Sequence, residues 1–207
     1  MKKNKKNRLV FFNGKFVPEK DAKLSIYDSA LMFGDMVFEM TRSFNKKQFL
    51  LDEHVDRLLS GLKILRIKIK YSKNDLIKIC KKVVEANEKT MSKNDEHRLM
   101  IDVSRGLLGI YENTQNAHIG SNVIVADFPL KWTVRGMSKL FSQGINAVIT
   151  SQRAIPPMYM DPKIKNRSRM FYLNANIEAS LFKGKNNWAM LLDSNGFLAE
   201  GTGNNIF

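Results

Sequence analysis

One cysteine, Cys80, is all the sequence holds, which excludes an internal disulfide. Cys80 sits on the apolar side of a helix-spaced run, so it reads as a packed thiol rather than a nucleophile. A cytoplasmic setting is expected on that basis. Long apolar runs are also lacking, and nothing reaches the length of a bilayer span. The basic start, MKKNKKNRLVFF, loses its apolar run at Asn13-Gly14, too soon for a secretory signal, and Met1–Arg8 reads as a solvated start. Zinc-ligand spacings, RNA-recognition signatures and basic-plus-heptad patterns are missing as well. Acids are scarce, 20 against 34 Lys and Arg, for a net charge of +14. The lysines stand singly among asparagines, so we read a solvated surface, attractive to small anions, rather than a nucleic-acid interface. No metal, nucleic-acid or membrane partner is expected.

What remains is a 207-residue chain, 43% hydrophobic, enough for one ordinary domain or two small ones. Asn13-Gly14 predicts a hairpin over Val10–Val17. A second strand pair is predicted from Met36–Phe44 and Gln48–Leu51. Asp52 is expected to cap a helix carrying Val55, Leu58, Leu59, Leu62 and Leu65. Ser72 with Asp75 makes a capping box ahead of Leu76, Ile79, Cys80 and Val83. Strands are predicted around Leu99–Val103 and Asn122–Phe128, and Pro129 stops the latter. We place a small α+β domain at 1–128, a linker at 129–137 and a second domain at 138–207. The second holds a strand (Ile145–Thr150), a proline-broken loop (Ser151–Asp161), a helix (about Ser168–Phe182) and a hairpin turning at Ser194-Asn195-Gly196.

Four features carry chemistry, and each has a plain alternative. Lys165, in Lys163-Ile-Lys-Asn-Arg-Ser-Arg169, is either a carbonyl-capturing amine or a surface lysine. Glu200 precedes Gly-Thr-Gly, where backbone can approach a ligand closely; alternatively it is an exposed turn acid. Arg57, in Asp52-Glu-His-Val-Asp-Arg-Leu58, has the donor fork for a phosphate, or simply pairs with a nearby acid. Phe33-Gly-Asp-Met-Val-Phe-Glu39 places Gly34 and two acids around a strand start.

Their order along the chain is more specific than any one of them. Tyr27-Asp-Ser-Ala-Leu-Met-Phe-Gly-Asp-Met-Val-Phe-Glu39, a hairpin, then Leu51-Asp-Glu-His-Val-Asp-Arg-Leu58 closely resembles the N-terminal signature of class-IV aminotransferases. Lys165, thirteen residues before Glu178-Ala179, resembles that family's Schiff-base lysine. Leu191 to Phe207 resembles its cofactor-carboxylate segment. The resemblance implies a two-domain α+β fold of the D-amino-acid aminotransferase type (fold-type IV). It implies pyridoxal 5'-phosphate on Lys165, Glu200 at the pyridine nitrogen and Arg57 at the phosphate, in a homodimer acting on an amino acid and a 2-keto acid. Lys163 is a rival to Lys165, but only Lys165 gives the thirteen-residue spacing.

Substrate follows from departures within the family. Phe38 stands where D-amino-acid enzymes of this family have a tyrosine, and Arg105–Glu112 lacks their Arg-x-His. Phe38-Glu39 and Ser151–Pro156 look closer to the branched-chain group, so Phe38 is expected at the side chain of an apolar L-amino acid. An aminodeoxychorismate-lyase activity and a non-catalytic remnant are the alternatives. The family's chains continue beyond the equivalent of Phe207, and the larger domain is expected to be incomplete.

Overall fold

The computed structural model describes residues 7–111 and 118–207. Most of the basic start, and Glu112 of the segment compared with Arg-x-His, lie outside them. The chain divides into two compact units, one formed by 1–133 with 163–168, the other by 134–162 with 169–207. These compact units are not contiguous in sequence. Lys163–Ser168 joins the first unit because Ile164 is buried in that unit's core and its neighbours bond to a strand there.

The first unit is a six-stranded sheet with helices packed on it. Strands β1 (Leu9–Phe12) and β2 (Lys15–Pro18) form the expected hairpin. Asn13 and Gly14 take φ of 49° and 95° at its tip, a turn those two residues adopt readily. A short helix, α1 (Ser29–Phe33), ends in Gly34 at φ 69°. A Cβ on Gly34 would lie 2.4 Å from Ser168 Oγ, so both the turn and the close approach require glycine. Then come β3 (Met36–Phe44), β4 (Lys47–Gln48), α2 (Leu51–Ile64), α3 (Lys73–Asn87), β5 (His97–Ser104) and β6 (Asn122–Pro129). The sheet order is β2-β1-β6-β5-β3-β4, antiparallel throughout.

Alternation sorts the sheet's faces. Val37, Leu99, Ile101, Val103, Val123 and Val125 meet Val55, Leu58 and Leu62 of α2 and Leu76, Ile77, Cys80 and Val83 of α3 in one core. The capping box at Ser72 and Asp75 is present. The cap of α2 is not Asp52, and the second strand pair ends earlier than expected. Leu50 occupies the cap position with left-handed φ of 49° and no side-chain bond. Burial of Leu51 and Val55 on one helical face offsets that strain and draws Leu51 into the helix.

The second unit is smaller. α4 (Lys131–Val134) falls at the division, with 131–133 in the first unit; in the second, after α5 (Leu140–Gln143), β7 (Asn146–Arg153) pairs in parallel with β8 (Asn187–Leu192). The connection carries α6 (Met170–Ser180), as a parallel pair requires. β9 (Leu198–Gly201) pairs antiparallel with β8 after the turn at Gly196, φ 88°. Tyr172, Ala175 and Ala179 of α6 pack on Ala189 and Leu191. Among the described residues, no helix is long and apolar enough to cross a membrane.

Candidate active site

In the first unit, Lys165 is fixed through its backbone. Phe38 N–H donates to Lys165 O at 2.9 Å and Arg167 N–H donates to Met36 O at 3.0 Å. Asn166 sits opposite Val37 in a β-bridge, so 165–167 adds a short rung to the start of β3. Ile164, one residue back, is buried with Val37 beside Gly61 of α2. Asn166 Oδ1 accepts from Ser168 N–H, and Ser168 Oγ donates to Phe33 O. The Lys165 amine then stands 4.9 Å from the centre of the Phe38 ring. Lys165 is half-buried, whereas Lys163 is exposed.

Phe38, Met40 and Arg42 of β3 share a face with Asp102, Met100 and Arg98 directly opposite on β5. Glu39 and Thr41 point the other way, toward α2. Glu39 is 1% exposed and is clasped by α2. Arg57 Nε and Nη2 donate to its two oxygens at 2.5 and 2.7 Å, and His54 Nδ1 lies 2.7 Å away. Burial would raise the Glu39 carboxyl, but the bonds from Arg57 and His54 outweigh it and hold it below the usual carboxylate range. The Glu39 bond in turn raises Arg57. Arg57 thus has the acidic partner of its plain reading, though that acid is buried on a strand rather than exposed on the helix. Glu39 engages Nε and Nη2 of the guanidinium and does not engage Nη1.

In the second unit, Glu200 lies on β9 and accepts from the Tyr172 hydroxyl of α6. Burial, then the bond to Glu200, push the Tyr172 phenol well above its ordinary range, so it stays a donor. Thr202 Oγ1 donates to Asn176 Oδ1 at 2.8 Å, tying the loop after Glu200 to the same helix. A Cβ on Gly201 would collide with the Asn204 amide. Glu178 is occupied locally: Ser151 N–H and Oγ donate to it at 2.7 and 2.6 Å.

The sequence reading missed Glu39 as the partner of Arg57, Tyr172 as the partner of Glu200, and Ile164 as the anchor of Lys165. Glu39 carried a usable signal: a carboxylate at a core-facing position of β3 needs a cation opposite it.

A model of the class IV amino-transferases matches residues 36–207. The chain belongs to this family. Over 198 residues it is 33% identical to a Methanocaldococcus jannaschii protein provisionally named a branched-chain-amino-acid aminotransferase, covering 96% of this chain and 64% of that one. The branched-chain-amino-acid aminotransferase of Escherichia coli K12 is 28% identical, with 98% of this chain and 64% of that protein covered. Among solved structures, the Escherichia coli branched-chain amino acid aminotransferase aligns with a TM-score of 0.78 at 27% identity, over 96% of this chain and 64% of that one. The branched-chain amino acid aminotransferase of T.th., complexed with N-(5'-phosphopyridoxyl)-L-glutamate, aligns at 0.74 with 28% identity, over 96% and 63%. The family and fold expected from the motifs are those found. This chain spans slightly under two thirds of the relatives' length.

Proposed function

We propose that the protein is a pyridoxal-phosphate transaminase that moves an amino group between an apolar, branched-chain type L-amino acid and a 2-keto acid. The observation that carries this is the half-buried Lys165 amine, pinned to the start of β3 beside Phe38 in a class IV chain. In chemistry the donors of the first unit suit the cofactor, an amine for its aldehyde and an oriented guanidinium for its phosphate, and Glu200 of the second unit is the kind of group its ring nitrogen needs. When bound, the cofactor supplies an electron sink for the bond being broken at the substrate Cα.

This chain's residues supply the rest. Lys165 Nζ would hold the cofactor at rest and, once displaced from it by the substrate amine, would be the free amine that moves the proton at Cα. Glu200 keeps the pyridine nitrogen protonated, and the Tyr172 hydroxyl holds Glu200 to that task. Arg57, aligned by Glu39, binds the phosphate. Phe38 offers an apolar wall to the substrate side chain. A cytoplasmic homodimer is our reading for the whole protein, and the 1–128, 129–137 and 138–207 division remains our proposal for its functional domains.

Borohydride reduction of the full-length holoenzyme with peptide mapping tests the assignment. The pyridoxyl group is expected on Lys165, and finding it on Lys163 overturns the site. Leucine with 2-oxoglutarate should yield the branched keto acid; pyruvate release from aminodeoxychorismate instead would overturn the transaminase reading.

A further inference from the structure

We propose that Arg167 is a positioning residue for Lys165, acting through a clasp with Asp102 and Phe38; this rests on the Lys165 assignment above. The Arg167 guanidinium lies 3.8 Å from the centre of the Phe38 ring, the same ring that the Lys165 amine approaches to 4.9 Å. Two side chains therefore lie against one ring, which limits how that ring and both side chains can turn. The guanidinium also donates from Nε and Nη2 to Asp102 Oδ1, at 3.1 and 2.8 Å. Nη2 reaches Met100 Sδ at 3.2 Å. Asp102 stands directly opposite Phe38 across the β3–β5 ladder, so the clasp closes on itself: loop to β5, β5 to β3, β3 back to the loop.

Asp102 explains why this is more than a surface pair. Its carboxyl is buried, and burial raises its pKa against the pull of Arg167. A carboxylate held there is costly without its cation. Arg167, in contrast, keeps 35% of its side chain exposed, so the pair is anchored on the strand and reaches outward to the loop. The backbone of 165–167 is attached to β3 by only a short rung. The clasp adds a side-chain restraint two places beyond the amine, beside those given by the buried Ile164 and the Ser168–Phe33 bond. On β3 and β5 themselves, the other charged side chains of this face among the described residues are Arg42 and Arg98, a cross-strand pair further along; register puts Lys47 of β4 and Lys15 of β2 on the same face, further out across the sheet.

Full-length holoenzyme variants test this. Arg167→Gln should lower kcat about 10- to 100-fold with KM within about threefold, because misplacing a reacting group costs turnover. Arg167→Lys, keeping charge but not the fork, should recover part of the loss. The pH titration of the bound cofactor's absorbance adds a readout that general loosening would not give. Removing the cation in Arg167→Gln should move its midpoint to higher pH; removing the anion in Asp102→Asn should move it lower. If Arg167→Gln does not fold, Arg167→Lys and Asp102→Asn carry the same test. Wild-type kcat with an unmoved midpoint in the folded variants, or shifts of one sign in both, overturns the proposal. Peptide mapping of the wild type separates the two failures: a label away from Lys165 sinks the functional reading, whereas a label on Lys165 with unchanged variants sinks only the role of Arg167.

Discussion

The two units bury their apolar residues very differently. In the first, α2 and α3 turn a branched aliphatic stripe onto one face of the sheet and leave lysines outside. In the second, α6 packs Tyr172, Ala175 and Ala179 inward but leaves Met170, Leu173, Ile177 and Leu181 exposed on its other side. The first helix pair obeys a 3.6-residue rule with one apolar face; α6 is apolar nearly all round. The lesson is that the first unit draws its stability from its own core, whereas the second carries contiguous apolar surface that invites association.

Chemistry divides along the same line, and Glu200→Gln gives the largest expected effect. A neutral amide cannot keep the pyridine nitrogen protonated. Turnover of the holoenzyme should fall roughly 100- to 1000-fold, a loss of about 3–4 kcal/mol in barrier lowering. Cofactor affinity, for which Arg57 is the residue proposed, should change far less. Steady-state kinetics beside a PLP titration measures both; equal losses in the two would merge roles assigned here to separate units.

Next comes packing. Leu58 is fully buried in the first core, and Leu58→Ala should cost about 2–5 kcal/mol. Leu173→Ala on the exposed side of α6 should stay within about 0.5 kcal/mol. Leu173→Lys with Ile177→Lys should raise solubility without loss of secondary structure. Chemical denaturation and light scattering would measure these, and an equal cost for Leu58→Ala and Leu173→Ala would erase the contrast between the units.

Arg57→Ala is smaller in stability but mixed in meaning. It leaves the buried Glu39 carboxylate with His54 alone. Removing one partner of a fully buried pair costs about 3–5 kcal/mol; Arg57 is half-exposed and screened, so about 2 kcal/mol is expected. Weaker PLP binding in this variant would mix lost phosphate contact with lost structure. Arg57→Lys separates them: it retains a cation for Glu39 but loses the fork, so affinity should fall while the melting temperature falls less.

Legibility from sequence followed the same division. Helices α2 and α3, and strands β3, β5 and β6, were readable because local period and burial agree there. Leu50 was not: its left-handed turn is imposed by where Leu51 must be buried, which no local propensity encodes. Lys165 was singled out by family order and spacing, but its attachment to β3 was not foreseen. Lys163–Ser168 belongs to a unit whose other residues end at 133, and only the folded chain brings Ile164 to Val37. Glu39 and Tyr172 escaped for a related reason, since each takes its role from a partner on another element.

The smallest effect expected is the pH dependence of the Glu39 clasp, and its sign is fixed by the direction of the shift. The folded Glu39 carboxyl lies below its ordinary value, because the Arg57 and His54 bonds outweigh burial. A carboxyl depressed on folding adds stability that is fully present above its unfolded pKa, because between the folded and unfolded values the native state binds fewer protons than the unfolded one. That contribution shrinks as pH falls below the ordinary carboxylate range and is gone once the folded group protonates. Glu39→Gln should therefore be less stable than wild type at neutral pH, and the gap should narrow steadily on acidification. Asp102 is the internal contrast: burial raises its carboxyl, so the linkage attached to it runs the opposite way, and Asp102→Asn should lose least near neutral pH, where the wild-type charge is costly. Urea unfolding of wild type, Glu39→Gln and Asp102→Asn at several pH values between about 3.5 and 7.5 measures both trends. A Glu39→Gln gap that is constant with pH would mean that shape, rather than the charge held by Arg57, accounts for the clasp.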